Sequence, residues 1–297
     1  MVYRTLADVP FRLAGVPEMP HATRILMADP ADFRVAYVIN PHMAGNIGQV
    51  DRAAARQEWE TLRSAYDRLG FDPDIVDAVD GFPDLVFCAN QTLPFVDEAG
   101  RPAVVLSQMH APERRGEVEI LARHFGARGV RVHTLDGGTA RSDFEGMGDA
   151  LWHVGRRLIW GGHGFRTDIA TYDRISEITG ADVLALEIND PDFYHLDTCL
   201  SLLDDRTALV YPGAFEPAGL ELLGAFFERL IEAPESEARA LFACNAHCPD
   251  GETVLIQRGC TATNERLADA GFEVREVSTE QYLKSGGAVC CMKLAHW

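Results

Sequence analysis

Residues 101–136, "RPAVVLSQMHAPERRGEVEILARHFGARGVRVHTLD", set the fold class. A β-rich run opens the stretch. A helical pattern follows over 114–129 and ends at glycine. A second β-rich run begins at Arg131. Strand, helix, strand is the signature of an α/β protein.

The same alternation continues outward. Strands are predicted at "FRVAYVIN" (33–40), "DLVFCAN" (84–90), "RLIWGG" (157–162), "DVLALEI" (182–188) and "TALVYPGAF" (207–215). They recur at "ETVLIQRG" (252–259), "FEVREVS" (272–278) and "AVCCMKL" (288–294). Helices are predicted at "RAAARQEWETLRSAYDRLG" (52–70), "PAGLELLGAFFERLIEAP" (217–234) and "NERLADAG" (264–271). No Gly/Ser linker or low-complexity tract divides the chain, so one catalytic domain over 1–297 is expected, with about 1–30 as an N-terminal extension. The strands run in a loose rhythm with one helix per unit. Periodicity alone does not give their arrangement.

Composition narrows the function classes. Hydrophobic residues make up 47% of the chain, enough for a sizeable core. No apolar run approaches the ~18 residues of a membrane span. The net charge of −18 argues against a nucleic-acid or anionic-membrane partner, because phosphate would be repelled. The N-terminus is mixed and broken by prolines, without a signal-peptide pattern. Seven cysteines, Cys88, Cys199, Cys244, Cys248, Cys260, Cys290 and Cys291, show no disulfide spacing. Free thiols in a reducing cytoplasm are expected.

Several short motifs carry chemistry-bearing side chains. In "FYHLDTC" (193–199), His195 and Asp197 are two apart and would share one face of a strand. That suits a proton-transfer group beside a cation grip, and equally a solvated surface pair. In "DFEGMGDAL" (143–151), two glycines separate Glu145 from Asp149 and allow a sharp turn presenting carboxylates. Arg114, Arg115 and Arg166 are bidentate carboxylate partners by chemistry. Asn46 and Asn90 stand at predicted strand ends. Cys244, His247 and Cys248 lack the second ligand pair that structural zinc needs, so no metal is expected.

"SGGAVCCMKLAHW" (285–297) holds two adjacent cysteines. Core packing, a vicinal disulfide, a metal pair, or one nucleophile with a bystander are all conceivable. Adjacent residues of a strand face opposite ways, so Cys290 and Cys291 should not address one site. Periodicity does not say which of them does.

Taken in order, "FEGMGDAL" (144–151), "FYHLDTCLSLL" (193–203), "YPGAF" (211–215) and "GGAVCCMKL" (286–294) resemble the guanidine-modifying enzymes. These are the arginine deiminases, amidinotransferases and dimethylarginine dimethylaminohydrolases. The likeness is strongest to arginine dihydrolases, through "YVINPHMAGN" (37–46) and "DLVFCAN", and it runs from about Tyr37 to Leu294. The resemblance implies a five-bladed ββαβ propeller with the active site in a central channel. It implies Cys291 as nucleophile, His195 as general acid/base and Glu145 as the carboxylate orienting the imidazole. Asp197 would grip the guanidinium, with Asn90, Arg114, Arg166 and Asn46 as further substrate contacts.

The implied activity is hydrolysis of a C–N bond at a guanidine-like sp² carbon through a covalent Cys adduct. Arginine is the default substrate, and no cofactor is required. A small methylated guanidine, a nitroimidazole losing nitrite, or amidino transfer are the alternatives. A homo-oligomer is compatible with the resemblance. His42, Ala44, Gln91, Thr92 and Cys290 depart from the family pattern, so substrate-lining positions differ while the chemical core is present.

Overall fold

The computed structural model describes residues 1–135 and 142–297. Asp136, the last residue of the 131–136 run, lies outside the described residues.

One small unit recurs through the chain. Thr92–Val96 pairs antiparallel with Pro102–Leu106, helix Arg115–Ala127 crosses over, and Arg131–His133 returns parallel to Pro102–Leu106. Ala150–Trp152, Leu158–His163, helix Thr171–Thr179 and Asp182–Glu187 repeat the pattern, and Val2–Tyr3 adds a parallel edge. Leu200–Leu202, Thr207–Val210, helix Pro217–Phe226 and Arg229–Glu232 form the next unit. Thr253–Gln257, helix Thr261–Asp269 and Glu273–Val277 follow, with a single antiparallel bridge from His247 to Leu255 replacing the first strand. The remaining unit joins the chain's two ends. Leu294–His296 pairs antiparallel with Arg24–Ala28, helix Arg52–Arg68 crosses, and Asp74–Val76 returns parallel. The described residues therefore form five sheets, and the fold is mixed α/β.

Each helix covers its sheet with an apolar face. In Arg52–Arg68 the Asp51 carboxylate caps the start by accepting from the amides of Ala53 and Ala54. Ala55, Trp59, Leu62 and Tyr66, three or four apart, are buried. Trp160, fully buried, stacks on Phe227 with ring centroids 5.3 Å apart and ties two units together. Burying a side chain of that size stabilises by about 2–3 kcal/mol.

Several local expectations change. "FRVAYVIN" forms no strand: Phe33 and Val35 are buried, but their backbone is held by turns, with Phe33 N–H on Pro30 C=O and Gly48 N–H on Val35 C=O. "DLVFCAN" begins with the 3₁₀ turn Pro83–Val86, and the strand starts after it, at Thr92. The long helix read over 217–234 stops at Phe226, because Arg229–Glu232 pairs with Thr207–Val210. Arg24–Ala28, inside the segment read as an extension, is the central strand of its sheet. "AVCCMKL" is no strand through the cysteines: Cys290 and Cys291 lie in a turn, and the strand begins at Leu294.

Candidate active site

The segments leading into the first strand of each unit meet in one buried place. Asn90 lies two residues before Thr92, and Asn245 two before the bridge residue His247. Asp197 stands three before Leu200, and Cys291 three before Leu294. Glu145 and His195 each stand five before their strands. A repeated backbone thus delivers different side chains to one location.

His195 and Asp197 do not sit on a strand. His195 caps a short 3₁₀ turn, Leu196–Thr198, and both side chains are buried. The Asp149 carboxylate anchors this turn by accepting from Leu196 N–H (3.0 Å) and from the Thr167 hydroxyl (2.6 Å). Glu145 Oε2 lies 2.6 Å from His195 Nε2. Arg166 Nη1 donates to the same carboxylate at 3.1 Å, and the His110 amide donates to Oε1 at 3.0 Å. Burial pushes this carboxyl up, but the Arg166 charge and His195 outweigh it and hold it well below the usual range.

Two glycines make the approach possible. Gly146 has φ +52, and a Cβ there would meet the carbonyls of Asn90 and Thr92 at 2.6 Å. At Gly148 a Cβ would fall 2.2 Å from Asn90 Nδ2 and 3.3 Å from the His195 ring. The "EGMG" turn therefore presents Glu145 and clears space for the imidazole.

Cys291 Sγ donates to Asp197 Oδ2 at 3.2 Å. Burial and then the Asp197 charge push this thiol well above its ordinary value. Burial pushes Asp197 up to about 7, against the Cys291 hydrogen bond and the Lys293 charge. The other oxygen, Asp197 Oδ1, is buried without a partner, as is Asp84 Oδ2.

Asn245, which the sequence reading passed over, organises the cysteine turn. Its Oδ1 accepts from the amides of Ala288 (3.1 Å), Cys290 (3.1 Å) and Cys291 (3.2 Å). Its Nδ2 donates to Cys291 Sγ (3.1 Å) and to the Asp197 carbonyl (2.8 Å). These bonds hold a turn where a ladder was expected. A signal for it existed: "FACN" (242–245) echoes "FCAN" (87–90) at the same distance from the next pairing. Asp84 was likewise missed. Its Oδ1 accepts from the Ser285 hydroxyl at 3.1 Å.

A narrow cavity collects Cys291, His195, Asn90, Arg114, Arg166 and Asp84 on its wall. Asn90 Nδ2 faces His195 Nδ1 at 3.5 Å, and its Oδ1 accepts from Arg114 Nη1 at 2.8 Å. Arg114 also donates to Glu117 Oε2 (3.0 Å) and to the carbonyls of Asp84 (3.1 Å) and Phe87 (3.0 Å). Arg166 stacks over the Tyr194 ring at 4.9 Å and donates to the Ile39 carbonyl at 2.6 Å. Asn46 is not on this wall: its amide turns back onto the His42 carbonyl at 2.8 Å, and Asn40 and Met43 line the cavity in its place. All seven cysteines are free. Among the described residues no group of three His, Cys, Asp or Glu side chains is arranged for a metal, and no helix is long and apolar enough to cross a membrane.

A buried thiol, an imidazole and the Asp84 carboxylate on one cavity wall, backed by Asp197 on the thiol and Glu145 on the imidazole, suit attack on a planar, cationic carbon centre. The comparisons define that class further. The chain is 38% identical over 275 residues to an N(G),N(G)-dimethylarginine dimethylaminohydrolase of Mycobacterium tuberculosis, covering 93% of this chain and 86% of that protein. It is 35% identical to the bifunctional arginine dihydrolase/ornithine cyclodeaminase ArgZ of Synechocystis, over 91% of this chain but only 37% of that longer protein. The solved N-terminal domain of ArgZ, an arginine dihydrolase bound to substrate, superposes with a TM-score of 0.84 at 34% identity, covering 91% of this chain and 97% of that domain. No family model matches the sequence. The chain belongs to the guanidine-modifying superfamily of dimethylarginine dimethylaminohydrolases and arginine dihydrolases, and it is a hydrolase of that type.

Proposed function

We propose that this chain is a cysteine-dependent hydrolase of guanidino C–N bonds, with arginine as its substrate. The observation that carries the reading is the cluster of Cys291, Asp197, His195 and Glu145, with Asp197 Oδ1 buried and unpartnered. A guanidinium offers N–H donors and positive charge to that oxygen. The bound cation offsets the Asp197 charge that holds the thiol protonated, the thiol proton passes to His195 on the same cavity wall, and Asn245 Nδ2 stabilises the resulting thiolate. The thiolate adds to the guanidino carbon. His195, oriented by Glu145, protonates the departing nitrogen, which leaves as ammonia from arginine or as dimethylamine from dimethylarginine. A thiouronium adduct on Cys291 remains, and a water molecule deprotonated by His195 hydrolyses it. The scheme uses no metal and no organic cofactor.

Arg114 supports Asn90 in this reading, since its donors go to Asn90, Glu117 and two carbonyls. Arg166 orients Glu145 and is the better candidate to meet a substrate carboxylate, because it lies at the cavity wall over Tyr194. The five repeated units support a five-bladed propeller in a single catalytic domain. Closure of the chain ends in one sheet fits that arrangement, with the cavity in its channel. Seven free thiols fit a reducing cytoplasm.

The test is a substrate panel of arginine, dimethylarginine, agmatine, free guanidine and a nitroimidazole, scored for ammonia, amine and nitrite. Ammonia from arginine, with the quenched adduct on Cys291 by mass spectrometry, is expected. Arg166→Ala should lower kcat for both arginine and agmatine, because Glu145 loses its partner, but raise KM for arginine well beyond that for agmatine, which has no carboxylate. Nitrite from the nitroimidazole with no turnover of arginine would overturn the assignment.

A further inference from the structure

Behind the cysteine turn lies a second cavity, of about 140 Å³, on the face that Cys290 addresses. Ile25, Phe71, Leu151, Trp152, Leu202 and Trp297 give it apolar walls, and exposed Pro20 and His21 stand at its rim. Lys293 is the only lysine, arginine or carboxylate side chain among the lining residues. It is 97% buried, as its relative exposure is 3%. Its neighbour on the wall is the Cys290 thiol, which feels its charge. None of the ion pairs among the described residues includes it. The two buried imidazoles on the wall do not supply a charge. Burial pushes His153 down to about 4 and His247 well below its ordinary value.

The Asp197 charge reaches Lys293 only beyond ion-pair distance, and a buried ammonium with no carboxylate in contact holds strongly an anion that displaces water from it in low-dielectric surroundings. A cavity of this size holds a body no larger than a small ring or short alkyl chain. We infer that this cavity binds a small monocarboxylate with an apolar body, its carboxylate on Lys293 and its body against Trp152 and Trp297. The site is chemically opposite to the guanidinium cavity, so the two do not compete for one ligand.

Benzoate is the probe, titrated into the full chain and followed by tryptophan fluorescence. Saturable binding with a Kd of about 1 mM or tighter is expected, with benzamide, the same shape without charge, at least about tenfold weaker. Lys293→Met should weaken benzoate at least about tenfold while circular dichroism stays unchanged. Benzoate should also slow alkylation of Cys290, read by mass spectrometry on the wild type. That readout decides the matter even where the lysine variant fails to fold. Equal affinities for benzoate and benzamide, no saturation below about 20 mM, or unprotected Cys290 would each overturn the inference.

Discussion

Cys290 and Cys291 share one turn and have unlike surroundings. Cys291 faces a cavity lined by Asp84, whose Oδ2 is unpartnered, and its thiol is bonded to Asp197, whose Oδ1 is buried without a partner. Cys290 faces a largely apolar cavity with the Lys293 ammonium on its wall. Both thiols are buried, and burial pushes both up. The difference lies in what each thiol is built to meet. Only the Cys291 side has a hydrogen-bonded carboxylate at 3.2 Å and an Asn245 amide at 3.1 Å. The thiol proposed as nucleophile is thus distinguished from its neighbour by partners brought from other units of the fold, and not by exposure.

The largest expected effect tests that distinction directly. Cys291→Ala should lower turnover by about 10³-fold or more, because the scheme loses its nucleophile. Substrate binding should survive, since Asp197 and Glu145 remain. A steady-state assay with a binding titration reads both. Turnover in Cys291→Ala within about tenfold of wild type would break the assignment of the two faces.

Next comes Asp197→Asn. A close charge pair at a surface-like dielectric is worth up to about 4 kcal/mol, so kcat/KM for arginine should fall about 10²–10³-fold. The pH dependence follows from the same group. Asp197 is raised to about 7, so it gains a proton and loses its negative charge as pH falls through that value. For wild type, kcat/KM should therefore rise with pH towards about 7 and level off above it. Asp197→Asn should flatten that acid limb. A limb of the same position in the variant would assign it to another group.

Asn245→Ala sharpens the comparison from the backbone side. It removes one acceptor shared by three buried amides and one donor to the thiol. Leaving such donors unsatisfied costs about 1–3 kcal/mol of stability. Turnover should fall about tenfold to a hundredfold beyond any loss of folded protein, because the thiolate loses a stabilising N–H. Urea unfolding with activity per folded molecule separates the two effects. A stability loss with full activity per folded molecule would reduce Asn245 to a structural role.

What the sequence could and could not disclose follows from the same residues. Helix Arg52–Arg68 was legible because its cap and its apolar spacing are local. Arg24–Ala28 and Thr92–Val96 escaped notice, although both are buried strands. "FRVAYVIN" misled because apolar spacing reports burial and not ladder pairing. At the site, Cys291, His195, Glu145 and Asp197 came forward through the order of their motifs. Their strand geometry did not hold: His195 and Asp197 meet the cavity through a 3₁₀ turn. Asn46 matched a motif yet bonds within its own loop. Asp84 and Asn245 were silent because their roles exist only through contacts with Ser285 and Cys291, far along the chain.

The smallest effect is expected at Cys290. Its amide, not its side chain, takes part in holding the turn, donating to Asn245 Oδ1 at 3.1 Å. Cys290→Ala keeps that amide and removes only a sulfur from the wall of the second cavity. The lost burial of one sulfur should cost about 1 kcal/mol, visible as a small shift in the urea midpoint. The Cys291 partners are untouched, so kcat and KM for arginine should stay within about threefold of wild type. Lys293 loses a thiol neighbour and keeps its charge, so its pull on Asp197 persists and the acid limb near 7 should not move. Activity assays, urea unfolding and a pH profile on one preparation check all three expectations. A large loss of kcat in a Cys290→Ala protein that unfolds at the wild-type midpoint would show that the two faces of the turn are chemically coupled, and the contrast drawn between the cysteines would fail.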